Sequence, residues 1–146
     1  MTAAPSPDLL QRRRIGRSIV ALLVGFAVGA VLALGTDRAL QNAGIFPPVG
    51  TPWTDGPLLI AAAYRTLYAV LSSYLIAFLA PDRPMQHAML GGAIGLVLCT
   101  LAAIATWNSN LGPHWYPVSL IVLALPPAWL GGRIRVMQLR GKAIAL

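Results

Sequence analysis

The sequence predicts an all-α integral membrane protein, a bundle of four transmembrane helices in one domain. Apolar residues make up 57% of the 146-residue chain and charged residues only 10%, against roughly 25% charged in an ordinary soluble domain. The apolar residues fall in four blocks, at about 15–34, 58–80, 88–107 and 115–134. Each block is close to the roughly 20 residues that cross about 30 Å of hydrocarbon. A soluble fold of this size would have too few charges to cover its surface.

The first and third spans carry small residues at intervals of four. Gly25 and Gly29 lie in the first span, and Gly91 and Gly95 in the third. Residues four apart share one helix face, and small residues there let a neighbouring backbone approach closely. We therefore expect these two spans to pack tightly, against partners that the sequence leaves open.

The connections between the spans differ in length. Prolines and glycines exclude regular helix from much of the segment 35–56, which we expect to be a linker held on the membrane surface by Phe46 and Trp53. A functional lid is the alternative. The turn 81–87 is short, so the second and third spans should be antiparallel neighbours.

The fourth span contains Pro126 and Pro127, which have no backbone N–H. They cannot donate to the carbonyls of Val122 and Leu123, so we expect a kink at this point. Broken helices line the binding sites of many transporters, but proline kinks also occur in helices that only pack. Both interpretations stay open.

The net charge of +7 is explained by membrane topology better than by nucleic-acid binding. Nine of the eleven Lys and Arg residues precede the first span, lie in the turn 81–87 or close the fourth span. By the positive-inside rule both termini are cytoplasmic, and the excess of Ala, Gly and Arg suggests a bacterial inner membrane. The apolar part of the first span is longer than that of a signal peptide and no clean cleavage site precedes Gly35, so we expect it to stay in the mature protein.

Arg65 is a permanent charge inside the second span, in the run "AAAYRTLYAVL" at 61–71. An arginine there costs on the order of 2–3.5 kcal/mol on insertion scales. This cost is reduced if the side chain reaches an anion on the outer side of the membrane. Asp37 is the favoured partner and Asp55 the substitute, with the hydroxyls of Tyr64 and Tyr68 completing the site. The pair is interpreted either as a structural link between the first two spans or as a binder of an anionic substrate or lipid headgroup.

Few other residues suggest chemistry. His87 and His114 are predicted on opposite faces of the membrane, and His87 is a loop or helix-cap residue or a proton-responsive group. Cys99 is the one cysteine, so an internal disulfide and a cysteine-based metal site are excluded. The spans carry no paired carboxylates of the kind that proton-coupled exporters use. We expect no metal, no cofactor and no catalytic residue.

Several runs resemble those of a family of small, uncharacterised four-span bacterial membrane proteins. They are "LGTD" (34–37), "AYR" (63–65), "AP-x-RPM-x-HA" (80–88), "WYP" (115–117) and "WLGGR" (129–133). The resemblance covers the chain from about residue 20 onward. It implies a compact four-helix membrane protein with Asp37, Arg65, His87 and Arg133 among its patterned polar positions. Where such proteins often read Gly-Gly in the second span, this chain has serines at 72–73, and no activity is attached to the resemblance.

Three functional hypotheses follow. The first is a structural or accessory protein whose small-residue faces pack with a second copy or with a membrane-protein partner. The second is a small permease or binding protein for an anionic or lipid-like solute, with its site between Arg65 and the kinked fourth span. The third, an enzyme acting on a lipid or quinone, has no motif in its favour.

Overall fold

The computed structural model describes residues 7–144, with the side chains of residues 7–10, Arg12 and Arg13 outside that description. Its helices are α1 (Pro7–Asn42), α2 (Asp55–Leu79), α3 (Pro84–Thr106), α4 (Trp115–Val122) and α5 (Leu125–Ile144). No strand occurs between residues 7 and 144. Helices α4 and α5 are the two parts of one kinked span. The prediction of an all-α chain with four helices long and apolar enough to cross a membrane is therefore confirmed.

Helix α1 is longer than predicted, and this moves one candidate site residue into regular structure. The helix continues to Asn42 instead of ending near residue 34, because the stretch 36–42 contains no proline and ends on good helix formers such as Ala39 and Leu40. The predicted 35–56 linker therefore shrinks to 43–54. Asp37 consequently projects from a helix rather than from a loop.

The predicted kink in the fourth span is present. Regular helix stops after Val122 and restarts at Leu125, immediately before Pro126 and Pro127. Across the break, the backbone N–H of Ala124 donates to the carbonyl of Ile121 at 3.2 Å, a tighter turn than that of an α-helix. The missing donors of the two prolines explain why the ladder is interrupted one turn before them.

Helix α2 lies at the centre of the bundle, with α1 along one side and α5 along another, while α5 also packs on α3. A Cβ atom at Gly25 would collide with the Ile76 side chain, and one at Gly29 with Ser72 Oγ. At Gly91 a Cβ would lie 2.7 Å from Ile76 Cδ1. These three glycines thus let α1 and α3 approach α2, rather than each other or an outside partner.

Gly95 does not make the close contact that its spacing predicts. No heavy atom outside its own helix backbone lies within 4 Å of the position that its Cβ would take. The four-residue spacing places Gly95 on the face of Gly91, but the α1 and α2 side chains reach only the earlier turn. Gly95 instead borders a cavity.

Helix α5 also packs closely, through two glycines that the sequence interpretation did not select. A Cβ at Gly131 would lie 2.5 Å from the carbonyl oxygen of Val70 and 2.6 Å from the backbone nitrogen of Tyr74. One at Gly132 would lie 2.9 Å from the Ala88 Cβ. The series 124, 128 and 132, which reads Ala, Ala, Gly, has the small-residue spacing that could have revealed this face.

Small side chains fill the interior and large apolar side chains face outward. The buried apolar residues are mainly alanines, such as Ala21, Ala61 and Ala128, each at most 1% exposed. Leu67 and Ile104 are each 68% exposed. In water, a soluble protein buries such side chains in its interior. In a membrane, the hydrocarbon tails of the lipid solvate them. The outer surface of the bundle is therefore suited to lipid.

The bundle has two ends, and polar contacts join the helices at each. The terminal end comprises the start of α1, the turn 80–83 and the end of α5, and the loop end comprises 43–54 and 107–114. At the terminal end Arg14 Nη1 lies 3.2 Å from Asp82 Oδ2. At the loop end the N–H of Trp53 donates to the carbonyl of Leu111 at 2.8 Å.

Candidate functional site

Arg65 of α2 lies against Asp37 of α1, three helical turns from the start of α2. Its Nη2 is 2.6 Å from Asp37 Oδ2, which makes a charge-assisted hydrogen bond. The side chains are 33% and 17% exposed, respectively. The pair therefore links α1 to α2 at a depth where both groups are largely removed from the protein surface.

Two tyrosines of α2 extend this contact. The Tyr64 hydroxyl donates to Oδ1 of Asp37, so the carboxylate accepts from two neighbouring residues of α2. The Tyr68 hydroxyl, one turn further along α2, is 2.9 Å from Thr36 Oγ1 and does not reach the carboxylate. Both tyrosines thus join α1 to α2, but only Tyr64 belongs to the charged cluster.

Asp55, the substitute partner, is not near the cluster. It precedes Arg65 by ten residues on the same helix, which separates their Cα atoms by about 15 Å at 1.5 Å per residue. Its Oδ1 instead accepts a hydrogen bond from Trp115 Nε1 at 2.7 Å. This contact ties the start of α4 to the start of α2 at the loop end.

A buried aromatic residue covers the charged cluster. Phe46 is 3% exposed, and its ring lies 4.8 Å from that of Trp53 and 6.4 Å from that of Tyr64. The prediction that Phe46 holds the loop on the membrane surface is therefore wrong. The turn after α1 folds the chain back at this point, since the backbone N–H groups of Ile45 and Phe46 both donate to the carbonyl of Leu40.

The Arg65 guanidinium keeps hydrogen-bonding capacity beyond its contact with Asp37. Its Nε is buried and has no hydrogen-bond partner among the described residues. A buried donor left without an acceptor costs about 1–3 kcal/mol, and more for a charged group. The guanidinium therefore has a donor left for a further hydrogen-bond acceptor.

Arg65 borders a cavity of about 480 Å³ between α2, α3, α4 and the segment 108–114. Most of its walls are apolar, including Leu58, Leu98 and Leu120, and Trp53 and Trp107 border it towards the loop end. This volume lies within the range of roughly 300–1,000 Å³ that is common for small-molecule sites. A mostly apolar pocket with one strongly polar side chain orients an amphiphilic ligand by its polar group.

A second cavity, of about 340 Å³, borders Arg65 from the other direction. It lies between α1, α2, α3 and the break in the fourth span, and Leu123 and Ala124 of the break form part of its wall. Three residues line both cavities: Arg65, Cys99 and Leu120. Sequence reasoning did not select Cys99 or Leu120, because only helix packing decides which faces border a space.

The remaining sequence candidates lie elsewhere. His87 is in the first turn of α3 at the terminal end, where its Nε2 is 2.8 Å from Ser18 Oγ of α1. His114 is at the loop end, with Nε2 2.9 Å from the carbonyl oxygen of Trp107. Within residues 7–144, no three His, Cys, Asp or Glu side chains gather as a metal site would require.

Comparisons with protein-family models, curated proteins and solved structures found no match to this chain. The resemblance to small four-span bacterial proteins therefore stays a prediction.

Proposed function

We propose that this chain is a small multi-pass membrane protein that binds an amphiphilic monoanion in the larger cavity, with the anionic group at Arg65. This is the binding-protein form of the second hypothesis. The observation that carries it is that Arg65, whose Nε is buried without a hydrogen-bond partner among the described residues, borders a mostly apolar cavity. A carboxylate, sulfonate or phosphodiester oxygen would supply the missing acceptor.

The neighbouring carboxylate limits the charge of the ligand. Asp37 already balances the guanidinium, so a bound monoanion leaves the cluster with one net negative charge. A dianion would leave two negative charges among largely apolar walls, where desolvation of charge is expensive. The site therefore favours a singly charged headgroup on an apolar body.

The first hypothesis, a structural or accessory protein, has less support from the packing. It relied on small-residue faces of the first and third spans as contacts for a partner. Gly25, Gly29 and Gly91 face α2 inside the bundle, so they are not available for that purpose. A partner would have to use the large apolar side chains on the outside.

The proposed location is a bacterial inner membrane, with the terminal end in the cytoplasm. The cluster of arginines at that end supports this orientation. In a Cys99→Ala background, a membrane-impermeant maleimide added to intact spheroplasts should label Val49→Cys at the loop end. It should not label Gly141→Cys at the terminal end. The reverse pattern would place the termini outside.

Binding is tested by calorimetry on the detergent-purified protein with hexanesulfonate, a permanent monoanion with a short apolar chain. Arg65→Leu removes the proposed donor to the ligand, while Tyr64 continues to donate to Asp37. Because a charge-assisted hydrogen bond contributes about 1.5–3 kcal/mol, the dissociation constant should rise roughly 10- to 100-fold. Arg38→Leu removes the same charge from an exposed loop-end position and should change little.

A second pair of variants tests the cavity without touching the ion pair. Ala102 lines the larger cavity, whereas Ala105 is exposed on the same helix and borders neither cavity. Ala102→Phe should abolish binding and Ala105→Phe should preserve it. Equal affinities in each matched pair, or no binding by the unmodified protein together with no retained anion in native mass spectrometry, would overturn the proposal.

A further inference from the structure

The smaller cavity lies beyond Arg65 along α2 and has mostly apolar walls. Ser72 follows Arg65 by seven residues, so the two lie on nearly the same face of α2, about 10 Å apart along its axis. Ser72 borders this cavity, and its Oγ is buried without a hydrogen-bond partner among the described residues. The face of α2 thus carries two unpartnered polar atoms, one at the boundary between the cavities and one beyond it.

Three residues border both cavities and so lie at the boundary between them. Leu120 and Cys99 meet Arg65 there, and each borders both spaces. Leu120 lies in α4 just before the break at residues 123–124, where the helical hydrogen-bond ladder is interrupted. Rotation of these side chains, beside an interrupted helix, opens the boundary between the two cavities without separating the helices of the bundle.

The charges of the two walls suit an anion. Among the described residues no carboxylate lines either cavity, and Arg65 is the cation shared by both. Ser72 borders the smaller cavity beyond Arg65, but its Oγ is buried against Gly29, so it becomes the next donor for an anion there only once its side chain rotates. The carboxylate of Asp37 lies beside the starting point and is paired with Arg65.

We propose that the protein is an uncoupled permease, in which the monoanion bound in the larger cavity passes Arg65 into the smaller cavity and crosses the bundle down its gradient. This rests on the proposed binding function and adds movement to it. Arg65 acts as the binding group midway, and the Ser72 hydroxyl becomes a donor beyond it once its side chain rotates. No covalent or redox step is involved.

The test is the flux of ³⁵S-labelled hexanesulfonate from vesicles that contain the full chain. A permanent anion does not cross lipid in a neutral form, so the protein-free rate is a low baseline. Gly95→Leu places a side chain in the smaller cavity, where a Cβ meets nothing within 4 Å. Gly35→Leu makes the same exchange on α1, also with nothing within 4 Å, outside both cavities.

The unmodified protein and Gly35→Leu should transport the probe, and Gly95→Leu should fall to the protein-free rate while its calorimetric affinity stays unchanged. Transport by Gly95→Leu at the unmodified rate would overturn the permease proposal. Binding without any flux in the unmodified protein would also overturn it, yet would leave the binding function standing. Absence of both binding and flux would overturn both.

Cys99 gives a second measurement that needs no cavity-filling variant. Sulfonatoethyl methanethiosulfonate converts its thiol to a mixed disulfide, releasing methanesulfinate, and places a sulfonate at the boundary. Flux should stop and should return after dithiothreitol, while Cys99→Ala should be insensitive to the reagent. Flux that continues through the modified protein would contradict a route past this boundary.

Discussion

The substitution Asp37→Asn tests the charged cluster most directly. It keeps the shape of the side chain but removes the negative charge that faces Arg65, and it places an amide donor beside the donors of Arg65 and Tyr64. The guanidinium then remains in the bundle without a counter-ion. We expect a loss of folding free energy whose size follows from the burial of the pair.

Two limits bracket that loss. Breaking a fully buried ion pair costs about 3–5 kcal/mol, and an exposed pair contributes about 0–1 kcal/mol. At 33% and 17% exposure and a distance of 2.6 Å, the Arg65–Asp37 pair lies between these limits. The expected loss is about 2–3 kcal/mol, since the carboxylate also accepts from Tyr64.

The assay is reversible unfolding of the purified protein by dodecyl sulfate in mixed micelles, followed by circular dichroism. The chain supplies a matched control in Asp82→Asn, which breaks the exposed contact with Arg14 and should change the free energy by about 0.5 kcal/mol or less. The double variant Asp37→Asn/Arg65→Leu removes the stranded charge and should be more stable than Asp37→Asn alone. Equal losses for Asp37→Asn and Asp82→Asn, or a double variant less stable than the single one, would refute the reasoning.

Two further predictions concern packing and the kink. Gly131→Ala forces a Cβ against α2 backbone atoms that cannot rotate away and should destabilise the protein by about 1–3 kcal/mol, whereas Gly95→Ala should be neutral in the same unfolding assay. If Gly131→Ala and Gly95→Ala have equal unfolding midpoints, then α5 is not held so closely to α2. Replacing both Pro126 and Pro127 with alanine restores two backbone donors, so α4 and α5 should merge and amide hydrogen exchange at 122–125 should slow. Unchanged exchange there would mean that something other than the prolines interrupts the helix.

The sequence was sufficient for the features that depend on composition and backbone chemistry. Four long apolar blocks predicted the four helices, because each has to satisfy its backbone hydrogen bonds internally in a membrane. The missing N–H groups of Pro126 and Pro127 predicted the break that the structure places just before them. Arg65 stood out because a charge inside an apolar span requires an acceptor.

Two tertiary features could have been predicted from residue spacing along the helices. Helical rise alone separates Asp55 from Arg65 on α2 and removes it as a partner. The small-residue series that ends at Gly132 marks the face by which α5 packs. The four-residue spacing that identified Gly25 in the first span would also have identified this series.

Composition and periodicity therefore determined how many helices form, where the fourth is interrupted and which charge needs a partner. Only the tertiary structure decided that Gly95 faces a space while Gly131 contacts α2, and that two cavities meet at the arginine. Periodicity specifies the face on which a residue lies, but the rotation and separation of neighbouring helices depend on many side-chain contacts made at once. A cavity in particular is the volume that those contacts leave unfilled, and it has no residue pattern of its own.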